Sequence, residues 1–117
     1  MTRLQLKNVL VTAPEMDAMI DDLAALSTTV EFRDGNRYAA LDPSSANLGV
    51  ALAGPEDHPA PGELVLTAKT DRVGTAIAPL LDGGADLVGP IHSGGHEYRA
   101  LIRTHAGLLV LVYGPEP

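Results

Sequence analysis

The side chains in this sequence that can do chemistry are few, and most lie in its second half. There are four histidines, His58, His92, His96 and His105, and no cysteine. His92 and His96 flank Ser93-Gly94-Gly95. An imidazole can give or take a proton or serve as a hydrogen-bonding group, so both are candidate ligand-binding residues. Their spacing falls in a loop between two strands. There it lacks the i, i+4 helical geometry that brings two metal ligands together. Arg99, on the strand that follows, can anchor a carboxylate or a phosphate through its guanidinium. Glu97 shares its strand parity and offers it a competing charge partner. Glu63 opens a strand after Pro61-Gly62, where glutamates commonly face water. A lone carboxylate inside a cavity is costly unless it finds partners. His58, between Asp57 and Pro59, and His105, in a turn, are expected in solvent. There is no Ser-His-Asp spacing, phosphate-cradling glycine loop or cofactor-attachment motif. No residue receives a catalytic role on this basis.

Composition narrows the partners. Asp and Glu number 15 against 8 Lys and Arg, a net charge of −7. Such a surface repels phosphate backbones and anionic headgroups, so no nucleic acid and no membrane are expected as partners. The absence of cysteine excludes disulfides, thiolate metal sites and a cysteine nucleophile. The longest aliphatic run, Leu108 to Val112, is far too short to cross a bilayer. No long apolar stretch of the secretion-signal kind opens the chain, and a cytoplasmic location is expected. Aromatic residues are limited to Phe32, Tyr38, Tyr98 and Tyr113. A large planar ligand would want more rings for stacking, so a small, partly apolar molecule fits better.

These residues must be positioned by a repeated scaffold. Gly35 to Pro55 matches Gly95 to Pro115 without a gap at an offset of 60, with nine of 21 positions identical. Among the identities are Tyr38/Tyr98, Ala40/Ala100, Val50/Val110 and Gly54/Gly114. Chance agreement is on the order of one position in ten, so a duplicated unit is the simplest account. Upstream the match resumes at an offset of 55, Val11-Thr12-Ala13 with Leu66-Thr67-Ala68. Each copy reads as strand, helix and three strands. In the first, Leu4 to Ala13 is a strand, with Thr12 or Ala13 near the cap of the helix that follows. Met16, Met19, Ile20, Leu23 and Leu26 form that helix's apolar stripe. Thr28 to Arg33, Arg37 to Leu41 and Asn47 to Ala53 are strands, with turns at Asp34-Gly35-Asn36 and Asp42-Pro43-Ser44-Ser45. In the second, Glu63 to Lys69 is a strand. Asp71 caps a helix with Val73, Ile77, Leu80 and Leu81 on one face, shortened or kinked at Pro79 and ended by Gly83-Gly84. Leu87 to His92, Glu97 to Arg103 and Leu108 to Tyr113 complete it. Gly54 to Gly62, with three prolines, reads as the linker. The expected fold is therefore α+β, one domain of two βαβββ units, 1–58 and 59–117, forming curved mixed sheets around a cavity with helices outside.

A duplicated βαβββ unit of this length resembles the vicinal oxygen chelate superfamily of glyoxalases, bleomycin-resistance proteins and extradiol dioxygenases. The opening Asn8-Val9-Leu10-Val11-Thr12-Ala13-Pro14-Glu15 and the closing Tyr98-Arg99-Ala100-Leu101-Ile102-Arg103 hairpin carry the likeness. The resemblance implies metal ligands on the first strand of each unit and a glutamate on each last strand. Asn8 lies at or near one first-strand position and Glu63 at or near its counterpart. The last strands hold no carboxylate and no histidine, so two of four ligands are missing, and a hard divalent cation needs several donors together. The sequence is thus expected to bind a small molecule with no metal and no cofactor, using Asn8, Glu63, His92, His96 and Arg99. The alternative is a metal-dependent lyase, isomerase or dioxygenase of glyoxalase type with unusual ligands. A regulatory module of ferredoxin-like architecture would have two strands per helix rather than four. Exposed sheet edges give a physical motive for a homodimer.

Overall fold

The structure is a computed structural model that describes residues 4–25, 28–43 and 48–117. The chain divides into two compact units. One is Asn8–Leu64; the other is Val65–Pro117 together with residues 4–7. The N-terminal unit contains β1 (Gln5–Thr12) from Asn8 onward, α1 (Met16–Ala24), β2 (Thr28–Asp34), β3 (Tyr38–Pro43) and β4 (Gly49–Ala53). Its strand order is β2-β3-β4-β1, antiparallel except for the parallel pair β1/β4. The C-terminal unit contains β5 (Val65–Lys69), α2 (Val73–Asp82), β6 (Asp86–Leu87), β7 (His92–Ser93), β8 (Tyr98–Arg103) and β9 (Leu109–Gly114). Here β5 pairs β9 in parallel, β9 pairs β8, and the short β6 and β7 both line the outer side of β8. The α+β class and the first unit's βαβββ order are as the sequence indicates, and the second unit repeats that order except that two short strands, β6 and β7, stand where one was expected.

Each helix is held by its apolar stripe. Met16, Met19, Ile20 and Leu23 pack on Val11, Ala39, Leu41, Val50 and Leu52. Val73, Ile77, Leu80 and Leu81 pack on Ala100, Ile102, Val110 and Val112. A fully buried aliphatic side chain such as Ile77 contributes about 2 kcal/mol and the partly buried stripe residues less, and together these stripes, rather than helix propensity, stabilise two helices of nine and ten residues. The caps differ from expectation. Neither helix has a side-chain cap, and Glu15 and Arg72 stand at the cap positions instead of Thr12, Ala13 or Asp71. For α2 the chain's last residues do the work. Val73 N–H donates to Glu116 O at 3.0 Å and Gly74 N–H to Pro117 O at 2.7 Å. Arg72 adds a 2.9 Å ion pair to Glu116. Pro79 does not break α2, which runs three residues further to Asp82.

The two units correspond with small slips. Ala13 N–H donates to Ala53 O, and Thr70 N–H to Tyr113 O. First strands and helices therefore match at an offset of 57 (13 against 70, 16 against 73), not 55. The last strands match at 60, with Val50 and Val110 both against their helices. The third strands do not. Tyr38 pairs Ala53, whereas Arg99, not Tyr98, pairs Tyr113. The stretch between the paired Leu41 and Val50 is residues 42–49, but between Ile102 and Val110 it is 103–109, one residue shorter. A one-residue slip moves every side chain to the opposite face. Tyr98 and Ala100 consequently pack under α2, while Tyr38 and Ala40 lie on the face away from α1. There Tyr38 meets Phe32 with ring centroids 6.3 Å apart. The shared Tyr-x-Ala letters are not a shared packing feature.

Two further expectations are corrected. The strand expected over Leu87 to His92 is interrupted, because Gly89 adopts φ +79° and Pro90 has no N–H for a ladder. His58 is not solvated but 4% exposed. Its Nδ1 accepts from Ala60 N–H at 3.0 Å, so Nε2 carries the ring proton and donates to Leu10 O at 3.2 Å. The proline-rich segment is thus pinned to β1, which Gly62 N–H also reaches through Thr12 Oγ1 at 2.9 Å.

Candidate functional site

Each sheet has one face under its helix and one without. Residues directly opposite across paired strands share a face. In the C-terminal unit, Arg99 is opposite both Tyr113 and His92, and Tyr113 is opposite Lys69. All four lie on the face away from α2, forming a transverse row Lys69–Tyr113–Arg99–His92. At the usual strand spacing of about 4.8 Å the row spans about 14 Å. Beside it on the same face come Thr67, Leu111 and Leu101, and then Leu109, Arg103 and Asp86. Thr67, Leu109 and Leu111 are buried, whereas Lys69, His92, Arg103 and Asp86 are exposed. The corresponding row of the N-terminal unit is Thr12–Ala53–Tyr38–Asp34, which has no cation.

Arg99 is the most constrained member. Its Nε donates to Glu97 Oε2 at 3.2 Å, and both side chains are about one-third exposed. The guanidinium lies against the turn at Gly94, where a Cβ would stand 2.5 Å from Nε and 2.8 Å from Cζ. The turn between the last paired residues runs over 94–97 here and over 35–37 in the other unit. Its first and last residues, Gly94 and Glu97, are the two contacts that orient Arg99. His96 is exposed at the tip of that turn, outside the row.

Asn8 and Glu63 belong to the other unit. Asn8 is half-buried on β1, opposite Gly49 and on the helix-free face. Glu63 is exposed and precedes β5, which begins at Val65; its N–H donates to Ala60 O. Gly62 is tied to Thr12, four strand residues from Asn8. Of the five expected residues the structure thus brings together His92 and Arg99. Lys69 and Tyr113 join that row only through strand register, which the sequence signals no more strongly than the turn lengths that set it. Among the described residues there is no group of three or more His, Asp or Glu that could hold a metal ion. No helix among them is long and apolar enough to cross a membrane.

No family model matches the chain. An uncharacterized protein of Mycolicibacterium smegmatis is 36% identical over 112 residues, covering 95% of this chain and 94% of its own. The chain belongs to one family with that protein. Among solved structures, a glyoxalase/bleomycin resistance protein/dioxygenase superfamily member from Vibrio splendidus matches 97% of this chain and 98% of its own, with a TM-score of 0.61 at 14% identity. This is the vicinal oxygen chelate fold. Methylmalonyl-CoA epimerase from Mycobacterium tuberculosis shares it, with a TM-score of 0.68 at 16% identity over 97% of this chain and 89% of that one. So does a Legionella pneumophila structure described as an NAD-dependent benzaldehyde dehydrogenase, with a TM-score of 0.77 at 12% identity over 93% and 98%. Names this diverse on one scaffold mean that the vicinal oxygen chelate fold does not fix an activity. Within this fold's metal frame, the structural counterpart of Asn8 at offset 57 is Val65, which is fully buried and apolar, and not Glu63. β4 and β9 hold no His, Asp or Glu. Among the described residues, those at these strand positions do not fit the fold's metal.

Proposed function

We propose that this protein binds a small, partly apolar organic molecule on a helix-free sheet face, without the metal that metal-dependent members of the superfamily use. The observation that carries the reading is the helix-free face of the C-terminal unit. It sets Leu101, Leu109 and Leu111 beside the polar row led by Arg99. Apolar walls with a few convergent polar groups are the usual makeup of a small-molecule site. The mismatch at Val65 and on β4 and β9 supports a metal-free site. Native mass spectrometry of the freshly purified protein tests this. A metal-free species carrying an organic adduct is the expected result. One stoichiometric divalent ion per chain would overturn it in favour of a metal-dependent lyase, isomerase or dioxygenase. The same spectrum reads the subunit count, for which we propose a homodimer. We also place the protein in the cytoplasm and expect neither nucleic acid nor membrane as a partner.

A further inference from the structure

We infer that the row Lys69–Tyr113–Arg99–His92 recognises a carboxylate, so that the ligand is a small organic monocarboxylic acid whose apolar body lies against the half-buried Leu101. This deepens the binding reading above and rests on it. Three observations support it. First, the strand register gathers two cationic side chains and two further hydrogen-bonding ones on a single face, in a chain whose net charge is −7. The equivalent row of the other unit has an aspartate and no cation, so the cationic character is particular to this face. Second, Arg99 is oriented before any ligand arrives. Glu97 holds Nε at 3.2 Å, and the absent side chain of Gly94 makes room for the guanidinium plane. With Nε engaged, the two Nη groups remain as a planar fork, the geometry that takes both oxygens of a carboxylate. Third, the neighbouring row on this face is Thr67, Leu111 and Leu101, two of them large aliphatics. An acid with an aliphatic body meets charge at one end and apolar surface at the other. A phosphate dianion suits the site less well, because the Glu97 carboxylate stands beside the guanidinium and the whole chain is acidic.

The test uses the intact protein and hexanoate, with hexanamide as the uncharged control and inorganic phosphate as the rival anion, each titrated at constant pH and ionic strength and followed by amide chemical shifts. Hexanoate is expected to shift the amides of Lys69, His92, Arg99 and Tyr113 and to bind at least about tenfold more tightly than hexanamide. Arg99→Met keeps an apolar stem and removes the fork. It is expected to erase the preference for hexanoate while leaving hexanamide binding in place. Gly94→Ala keeps Arg99 but puts a methyl group where the guanidinium lies, and is expected to erase the same preference. It is the second variant should Arg99→Met fail to fold. Equal binding of hexanoate and hexanamide on this face overturns the carboxylate assignment and leaves the binding reading standing. Tighter binding of phosphate than of hexanoate overturns it in favour of a phosphate ligand. No binding by any of the three also overturns it. The binding reading then stands or falls by the organic adduct in the native mass spectrum.

Discussion

At the scale of single residues, the histidines show how little a side chain's identity says without its surroundings. His58 follows an aspartate and precedes a proline, a context that reads as solvated linker. It is instead one of the few buried polar residues, with both ring nitrogens used. His58→Ala removes the partner of Leu10 O and of Ala60 N–H and leaves a void. It is expected to cost about 2 kcal/mol, lowering Tm by roughly 10 °C in a thermal melt. His105→Ala, in the exposed turn after β8, is expected to leave Tm within about 2 °C. Glycines divide in the same way. Gly54 and Gly114 stand out in the sequence as a repeated Gly-Pro, and the structure gives the reason. A Cβ on Gly54 would stand 2.8 Å from Asn36 O, and one on Gly114 would run into the Thr70 carbonyl. Gly114→Ala is therefore expected to destabilise by at least about 2 kcal/mol in urea unfolding, with an unchanged m-value.

At the scale of elements, helices and most strands were legible because apolar periodicity is a local property. The stripes from Met16 and Val73 need no knowledge of the partner sheet. Register was not legible, because it depends on the length of the turns. The ungapped repeat aligned Tyr38 with Tyr98, yet one residue fewer between the paired Ile102 and Val110 than between the paired Leu41 and Val50 puts them on opposite faces. For the same reason Arg99 and His92 could be singled out, while their alignment with Tyr113 and Lys69 could not. The capping of α2 was hidden too, since its acceptors come from residues 116 and 117. Gly74→Ala would bring a Cβ to 2.8 Å from Pro117 O. It is expected to lift that strap and to speed hydrogen exchange at the Val73 and Gly74 amides by about tenfold, with little change at Ile77.

At the scale of the whole molecule, the duplication was plain from sequence and the division of labour between the copies was not. Both units bury a helix on a mixed sheet, but their helix-free faces carry different polar rows. The edge strand β2 has Val30 46% and Phe32 58% exposed, and it pairs only β3 among the described strands of its unit. Phe32→Lys is accordingly expected to shift the proposed dimer toward monomer in sedimentation velocity at micromolar concentration, without a large change in Tm. A parallel pairing of first strand with last, β1 with β4 and β5 with β9, also imposes an order on synthesis. Neither unit can complete its strand pairing until its final strand has left the ribosome. The N-terminal unit has all of its strands by Ala53, while the entire C-terminal unit is still untranslated. A nascent chain stalled with residues 1–64 outside the exit tunnel should therefore already protect β3 and β4 from protease, and the half that carries Arg99 should gain protection only near the end of translation.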